Sequence, residues 1–504
     1  MPLLLFDTVF ANPNAAAADD YVPEVTARVA RISFLRGDVQ IKRAGSEEWE
    51  RAALNLPIVE GDQIATEPNG RLEIQFDRDS FLRLAENSYL KITTLRDEGI
   101  ALSLPQGTLS LRVLSFDKSR TYFEIDAPLT TVSVQKTGMY RIDAGDNDST
   151  EIRVTATDGA EARVYSENSG FTLRSGRSAT VYLDGVEKGE WQMADAAARA
   201  DAWDEWVLQR DAKIAKLLRD SNYDKYYDRD MYGAEDLSEY GEWIFTRKYG
   251  WVWRPYSDSI SGYADWSPYR YGQWRWIPPY GWTWVNDEPW GWATYHHGRW
   301  VYIDGEWCWT PYAYHRSRRS WWHPALVVVT WAGNLICWYP LPYDYGYYNY
   351  NSYYYYNHTT IINNNTTVVG NPTPTPNAVP VPLPGKGPKL PPLQSVPPSA
   401  VVTVAKEQFG NQIKGAKTAP LEIAKQVLAK DPDTIVKQAP PQLPVGIDKR
   451  TAARNEIIIE KPRVRTEAIA RTGVVERKVG VPMDEEIRQK KVFEDRKPVN
   501  RQRD

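Results

Sequence analysis

His296, His297, His315 and His323 fall near Cys308, a set of residue types that could hold a metal ion or move a proton. Their spacing fits no zinc pattern, and adjacent His296 and His297 would point to opposite faces of an extended strand, so neither a metal site nor a cofactor is expected. Cys308 and Cys337 both lie in aromatic, strand-like segments. In an oxidising compartment they could form a disulfide closing a loop of ~30 residues, worth roughly 3 kcal/mol if unstrained; the alternative is two buried free thiols. The carboxylate pairs Asp287/Glu288 and Asp304/Glu306 read as turn and strand-edge residues. No Gly-rich phosphate loop, HExxH or GxSxG motif is present, so no catalytic residue is assigned and no enzyme is expected.

The chemistry that stands out is aromatic. The 504 residues include 21 Trp and 31 Tyr against 11 Phe and 5 Met, and 17 of the Trp lie between Trp243 and Trp338. Within that block Tyr240-Gly241-Glu242-Trp243 through Trp253 repeats as Tyr271-Gly272-Gln273-Trp274 through Trp284, and again as His297-Gly298-Arg299-Trp300 through Trp309. Fixed self-similarity implies a repeated supersecondary unit. In the third copy Asp304-Gly305 marks a two-residue hairpin turn, which needs positive φ at both positions. The pairing then runs Ile303 with Glu306, Tyr302 with Trp307, Val301 with Cys308 and Trp300 with Trp309. Strand alternation puts Trp300, Tyr302, Trp307 and Trp309 on one face. The same parity groups Trp243, Phe245, Trp251 and Trp253, and then Trp274, Trp276, Trp282 and Trp284.

A lone hairpin is marginal in water, so these units are expected to stack. One reading makes the rings the core of a small repeat module. The other leaves the linker rings Trp266, Tyr269, Trp290, Trp292 and Tyr295 exposed as platforms for sugar rings or partner side chains, because no strand pairing requires them. Nucleic acid is not an expected partner: the block holds no run of bases to line a groove, and 61 basic against 65 acidic residues give a net charge of −4.

Ahead of the aromatic block, residues 27–185 show short alternating runs broken by turn signals. Leu72, Ile74 and Phe76 share a face, as do Ile152 and Val154, which predicts an all-β sandwich, barrel or solenoid. In the connector 190–235 the period changes. Trp203, Trp206, Val207, Ile214, Leu217 and Leu218 form one helical face opposite Asp204, Lys213 and Lys216, a helix expected to bridge two β units.

The order Gly37-Asp38-Val39, Trp49, Gly61-Asp62-Gln63-Ile64-Ala65-Thr66, Leu104-Pro105-Gln106-Gly107 and Ile125-Asp126-Ala127-Pro128 resembles a bacterial FecR domain. The resemblance implies an extracytoplasmic β-rich domain, which in iron-uptake regulators relays a signal from an outer-membrane receptor to a sigma factor. The block with Trp203-Asp204-Glu205-Trp206, the Tyr-Gly-x-Trp starts, Pro289-Trp290-Gly291-Trp292-Ala293 and Trp307-Cys308-Trp309 resembles Trp/Tyr-rich bacterial proteins of unknown function that often carry a FecR domain ahead of it. That likeness implies an architecture and no activity.

The mainly β chain therefore reads as follows: 1–26 an export signal or leader, 27–185 the FecR-like domain, 190–235 the helical connector and 236–342 the hairpin repeats. Residues 343–400 are a Tyr/Asn-rich and Pro-rich linker, 401–440 a short amphipathic segment, and 441–504 a charged disordered tail. The C-terminal third is thus expected to be disordered. No segment of ~20 clean apolar residues predicts a membrane span, although the tail, with 16 bases and 10 acids from Lys449 onward, could touch the envelope peripherally. The expected function is a non-enzymatic periplasmic or secreted binding or scaffolding protein whose partner is an envelope protein or cell-wall glycan. A sensor in FecR-type signal transduction is the alternative, and a glycan-binding or glycan-modifying protein the third.

Overall fold

The computed structural model describes residues 28–167, 169–278, 280–313, 322–345, 396–410 and 416–432. The leader 1–26, His315, most of the linker 343–400 and the tail 441–504 lie outside the described residues.

The first unit consists of two β-layers that share one strand. The first layer runs β3 (Trp49–Arg51), β2 (Val39–Lys42), β5 (Gln63–Thr66), β8 (Tyr89–Arg96), β9 (Gly99–Val113), β10 (Tyr122–Ala127), β11 (Thr130–Val134), β14 (Glu161–Ser166) and β15 (Gly170–Arg174). The second runs β4 (Pro57–Ile58), β1 (Ala30–Arg36), β6 (Arg71–Gln75), β7 (Ser80–Leu84), β9 again, β12 (Gly138–Gly145), β13 (Glu151–Thr157), β16 (Arg177–Tyr182) and β17 (Trp191–Asp195).

Strand β9 passes from one layer to the other at Gly107, which holds φ at +91° and packs so tightly on Ser88 that a Cβ would collide with it. A glycine is required there both for the backbone and for the approach. The chain thus lays strands into two layers in turn, which resolves the sandwich, barrel or solenoid alternatives as a two-layer β architecture. Leu72, Ile74, Phe76, Ile152 and Val154 lie in the core between the layers, as their alternation predicts.

Helix α1 (Ala202–Asp220) opens on a capping box formed by Asp201 and Asp204 and buries Trp203, Val207, Ile214 and Leu217. It lies on the second layer. Trp203 Nε1 donates to Ser110 Oγ at 2.8 Å, Arg112 Nε donates to Asp211 at 2.8 Å, and Arg210 reaches Glu73 at 2.6 Å. Beneath the helix Arg83 and Glu73 are fully buried and paired at 2.8 Å. Burial alone would raise the Glu73 carboxyl, but Arg83 and Arg210 outweigh it and hold it below its ordinary value. The connector is a clamp whose grip is largely ionic.

Three aromatic hairpins follow: β18 (Gly241–Thr246) with β19 (Gly250–Pro255), β20 (Gly272–Ile277) with β21 (Gly281–Asn286), and β22 (Arg299–Ile303) with β23 (Glu306–Thr310). The third pairs Ile303 with Glu306, Tyr302 with Trp307, Val301 with Cys308 and Trp300 with Trp309, the register derived above, and its turn holds Asp304 at φ 49° and Gly305 at 91°. Trp243 faces Trp253, and Trp274 faces Trp284, in the other two. The first and third hairpins join through β19 and β23 into one sheet of four strands, while the second stands as a separate two-stranded sheet. Its Ile277 and Val285 enter the core of the two-layer unit, and its aromatic rings enter a second core with Trp253, Trp290, Trp300, Trp309 and Trp338.

A fourth hairpin, β24 (Val327–Ala332) with β25 (Leu335–Pro340), is extended by β26 (Val402–Ala405) and β27 (Lys417–Thr418). A helix at Leu421–Leu428 buries Ala424 and Val427 against the same aromatic core. The amphipathic segment expected within 401–440 thus contributes β26, β27 and this helix among the described residues. The β25 edge exposes a row of backbone donors and acceptors, and Val401-Val402-Thr403-Val404 supplies the alternating strand that pairs with them.

Candidate functional site

The linker rings singled out in the sequence are placed inward. Tyr269, Trp290, Trp292 and Tyr295 are fully buried and Trp266 is half-buried, so their expected exposure is corrected. The reason is local: residues Gly291–His296 form a short helix, all six of whose residues are buried. Tyr269 acts as a staple. Its hydroxyl donates to the Tyr295 carbonyl at 2.7 Å and accepts from the Leu326 amide at 3.1 Å, and its own carbonyl accepts from Trp338 Nε1 at 2.8 Å.

Glu288, between β21 and that helix, brings two of these rings together. Its Oε1 accepts from Trp266 Nε1 at 2.8 Å and from the Tyr295 hydroxyl at 2.7 Å, while Oε2 is buried without a hydrogen-bond partner among the described residues. Trp290 packs edge-on to Trp266 with ring centres 5.6 Å apart, and Trp300 meets Trp266 at 5.4 Å. Burial in this aromatic surrounding pushes the Glu288 carboxyl up to about 7, although both hydrogen bonds favour the charged form. The group is fully buried among these rings.

His296 and His297 are buried in the same region, and His323 is half-buried. His296 lies 4.9 Å from both Trp322 and Trp292, with Nδ1 2.7 Å from the His323 carbonyl oxygen, and burial lowers its pKa to about 4. Cys308 and Cys337 are free, buried thiols in different apolar clusters, the second of the two readings left open for them. Cys308 lies opposite Val301 in the joined sheet, and Cys337 is 3.3 Å from Thr403 Oγ1 in the fourth hairpin's sheet. Burial raises the Cys308 thiol to about 11, which keeps it protonated and unreactive.

The solvent-facing rings belong instead to the first hairpin. Phe245, next to the turn, is 65 % exposed, and Trp243 and Trp251 on the same face are half-buried. Tyr226, from the single helical turn Tyr223–Tyr226, lies flat on Trp243 with centres 4.7 Å apart and planes 6° from parallel. Lys225 Nζ sits 4.7 Å from the Tyr226 ring and 4.9 Å from Trp251. Sequence reasoning missed this surface. The signal was its place in the repeat: a first hairpin has no preceding copy to cover its aromatic face.

Buried polar contacts fasten the aromatic unit to the two-layer unit. Arg31 pairs with Asp236 at 2.6 Å, Gln75 donates to Glu235 at 2.7 Å, and Asn55 Nδ2 donates to the carbonyls of Glu288 and Pro289. Arg275 of the second hairpin reaches Glu50 at 2.7 Å, and Glu50 also receives Arg43 at 2.9 Å.

A two-layer β unit clamped by one helix and fused to aromatic hairpins defines a mainly β protein whose aromatic chemistry is chiefly structural. The chain carries a FecR domain, with residues 62–160 matching the FecR protein family model, followed at residues 234–345 by a domain that matches a family of unknown function, DUF6600. No curated protein matches the chain. Two crystal structures of a protein from Parabacteroides distasonis ATCC 8503, provisionally described as an anti-sigma factor, are similar at 12% and 13% identity, each with a TM-score of 0.23. Each match covers 26% of this chain and 59% of the other.

Proposed function

We propose that the protein is a non-enzymatic, extracytoplasmic binding or scaffolding component of the bacterial envelope, in which the FecR domain and the aromatic hairpins act as one rigid body. The observation that carries this reading is the junction: Arg31, Asn55, Gln75 and Glu50 of the first unit are all engaged by residues of the second. Separating the units would exchange these contacts for water, at a net cost of about 0.5–1.5 kcal/mol for each hydrogen bond and about 1.5–3 kcal/mol where a charged group takes part. Such a unit presents fixed surfaces to a partner. The burial of four of the five linker rings removes the support for a sugar platform there.

The FecR match favours a second reading, a sensor component of FecR-type signal transduction that engages an outer-membrane receptor or a membrane regulator. No helix among the described residues is long and apolar enough to cross a membrane. Cell fractionation followed by cross-linking capture tests both. A receptor or membrane regulator recovered with the chain favours the sensor, and capture of structural envelope proteins favours the scaffold. Recovery solely from the cytoplasm refutes both.

A further inference from the structure

The tip of the first hairpin carries the most exposed large apolar side chain of the aromatic unit among the described residues. Phe245 is 65 % exposed beside the turn that carries Arg247 and Lys248, both exposed, with Lys225 close by. From Trp243 to Trp253 the sequence WIFTRKYGWVW holds no acid. The acid of this hairpin, Glu242, is on the opposite face at the far end of the strands, paired to Arg254 at 2.6 Å.

Ring geometry selects among occupants. A sugar would need a free aromatic face, yet Tyr226 and Trp243 cover one another, and the Lys225 ammonium sits over Tyr226 and Trp251. What is offered is a projecting apolar side chain with Arg247, Lys248 and Lys225 on the adjoining turns, three bases against the exposed Asp224 beside Lys225. Aromatic residues favour the boundary between water and acyl chains, and neighbouring bases favour anionic headgroups.

We propose that this tip is a peripheral membrane contact, with Phe245 entering the interface of a bilayer rich in anionic phospholipid and Arg247, Lys248 and Lys225 facing its headgroups. The contact is distinct from any made by the basic tail, and it relies on the envelope reading only for where the bilayer is met.

Flotation of the full chain with vesicles tests it, comparing phosphatidylcholine alone with phosphatidylcholine mixed with phosphatidylglycerol. We expect binding to the anionic vesicles that weakens as salt is raised. Phe245→Ser should lower the partition coefficient about tenfold or more, since a fully buried Phe side chain is lost from the interface. Phe245→Trp should keep it. Arg247→Gln with Lys248→Gln should lower it about 30-fold, taking roughly fivefold for each base near an anionic surface. These side chains are exposed, so circular dichroism and melting should be unchanged. The proposal is overturned if the wild-type chain fails to float, if it floats equally well with neutral vesicles, or if the substitutions leave flotation intact, which would assign binding to the tail or another surface. Failure to float leaves the envelope reading standing, whereas cytoplasmic recovery would remove that reading and leave vesicle binding untouched.

Discussion

Replacing Glu288 by Gln should make the protein more stable, and by an amount that depends on pH. In the folded chain burial holds the carboxyl at about 7, against an ordinary 4.5. Between those values the native state keeps a proton that the unfolded chain has released. The folded state thus binds more protons, and stability falls as pH rises through that window. The linkage amounts to a penalty of about 1 kcal/mol at pH 5 and about 3 kcal/mol at pH 8. Gln cannot ionise, yet it retains an oxygen to accept from Trp266 and Tyr295. Urea unfolding followed by tryptophan emission, run on both proteins at the two pH values, reads the difference. The stability of Glu288→Gln relative to wild type should rise by roughly 2 kcal/mol from pH 5 to pH 8, whatever fixed offset the new amide introduces. A difference that does not change with pH would refute the assignment of Glu288 as a buried, readily protonated acid.

Glu73→Ala should destabilise the two-layer unit by about 3 kcal/mol, the low end for breaking a buried pair, because Arg83 and Arg210 both lose its carboxylate while Arg83 keeps Asp211 at 2.7 Å; far-ultraviolet circular dichroism in urea checks this. Since the Glu73 carboxyl is held below its ordinary value, its contribution is present above about pH 4.5 and fades under acid, so wild type and variant should converge at low pH. Gly305→Ala and Gly298→Ala both force a side chain into positive φ, a strain of about 1–2 kcal/mol. Gly305 has open space while a Cβ at Gly298 would strike the Thr310 carbonyl, so melting should show the Gly298 variant to be clearly the weaker. Alkylation under denaturing, non-reducing conditions should label both Cys308 and Cys337; a peptide joining them would contradict the structure.

The hairpin around Asp304-Gly305 was legible in the sequence because a two-residue turn fixes its own register, and the helix of the connector because its apolar spacing is a local signal. The linkers were misread for an equally physical reason. Freedom from strand pairing was taken to imply exposure, yet Gly291–His296 has all six residues buried among the hairpins. Residues 402–405 were hidden by the Pro-rich stretch before them, since nothing local tells a strand that its partner is β25, more than sixty residues earlier.

Which side chains share a strand face, and that one helix has an apolar side, could be read from the chain alone, since backbone φ, ψ and side-chain alternation act over a few residues. Only the tertiary structure decided which aromatic faces are covered, that Glu288 is sealed against Trp266 and Tyr295, and that Phe245 is left to solvent. Those outcomes depend on what distant segments bring into contact, and desolvation is a property of the assembled surroundings that no short window of sequence contains.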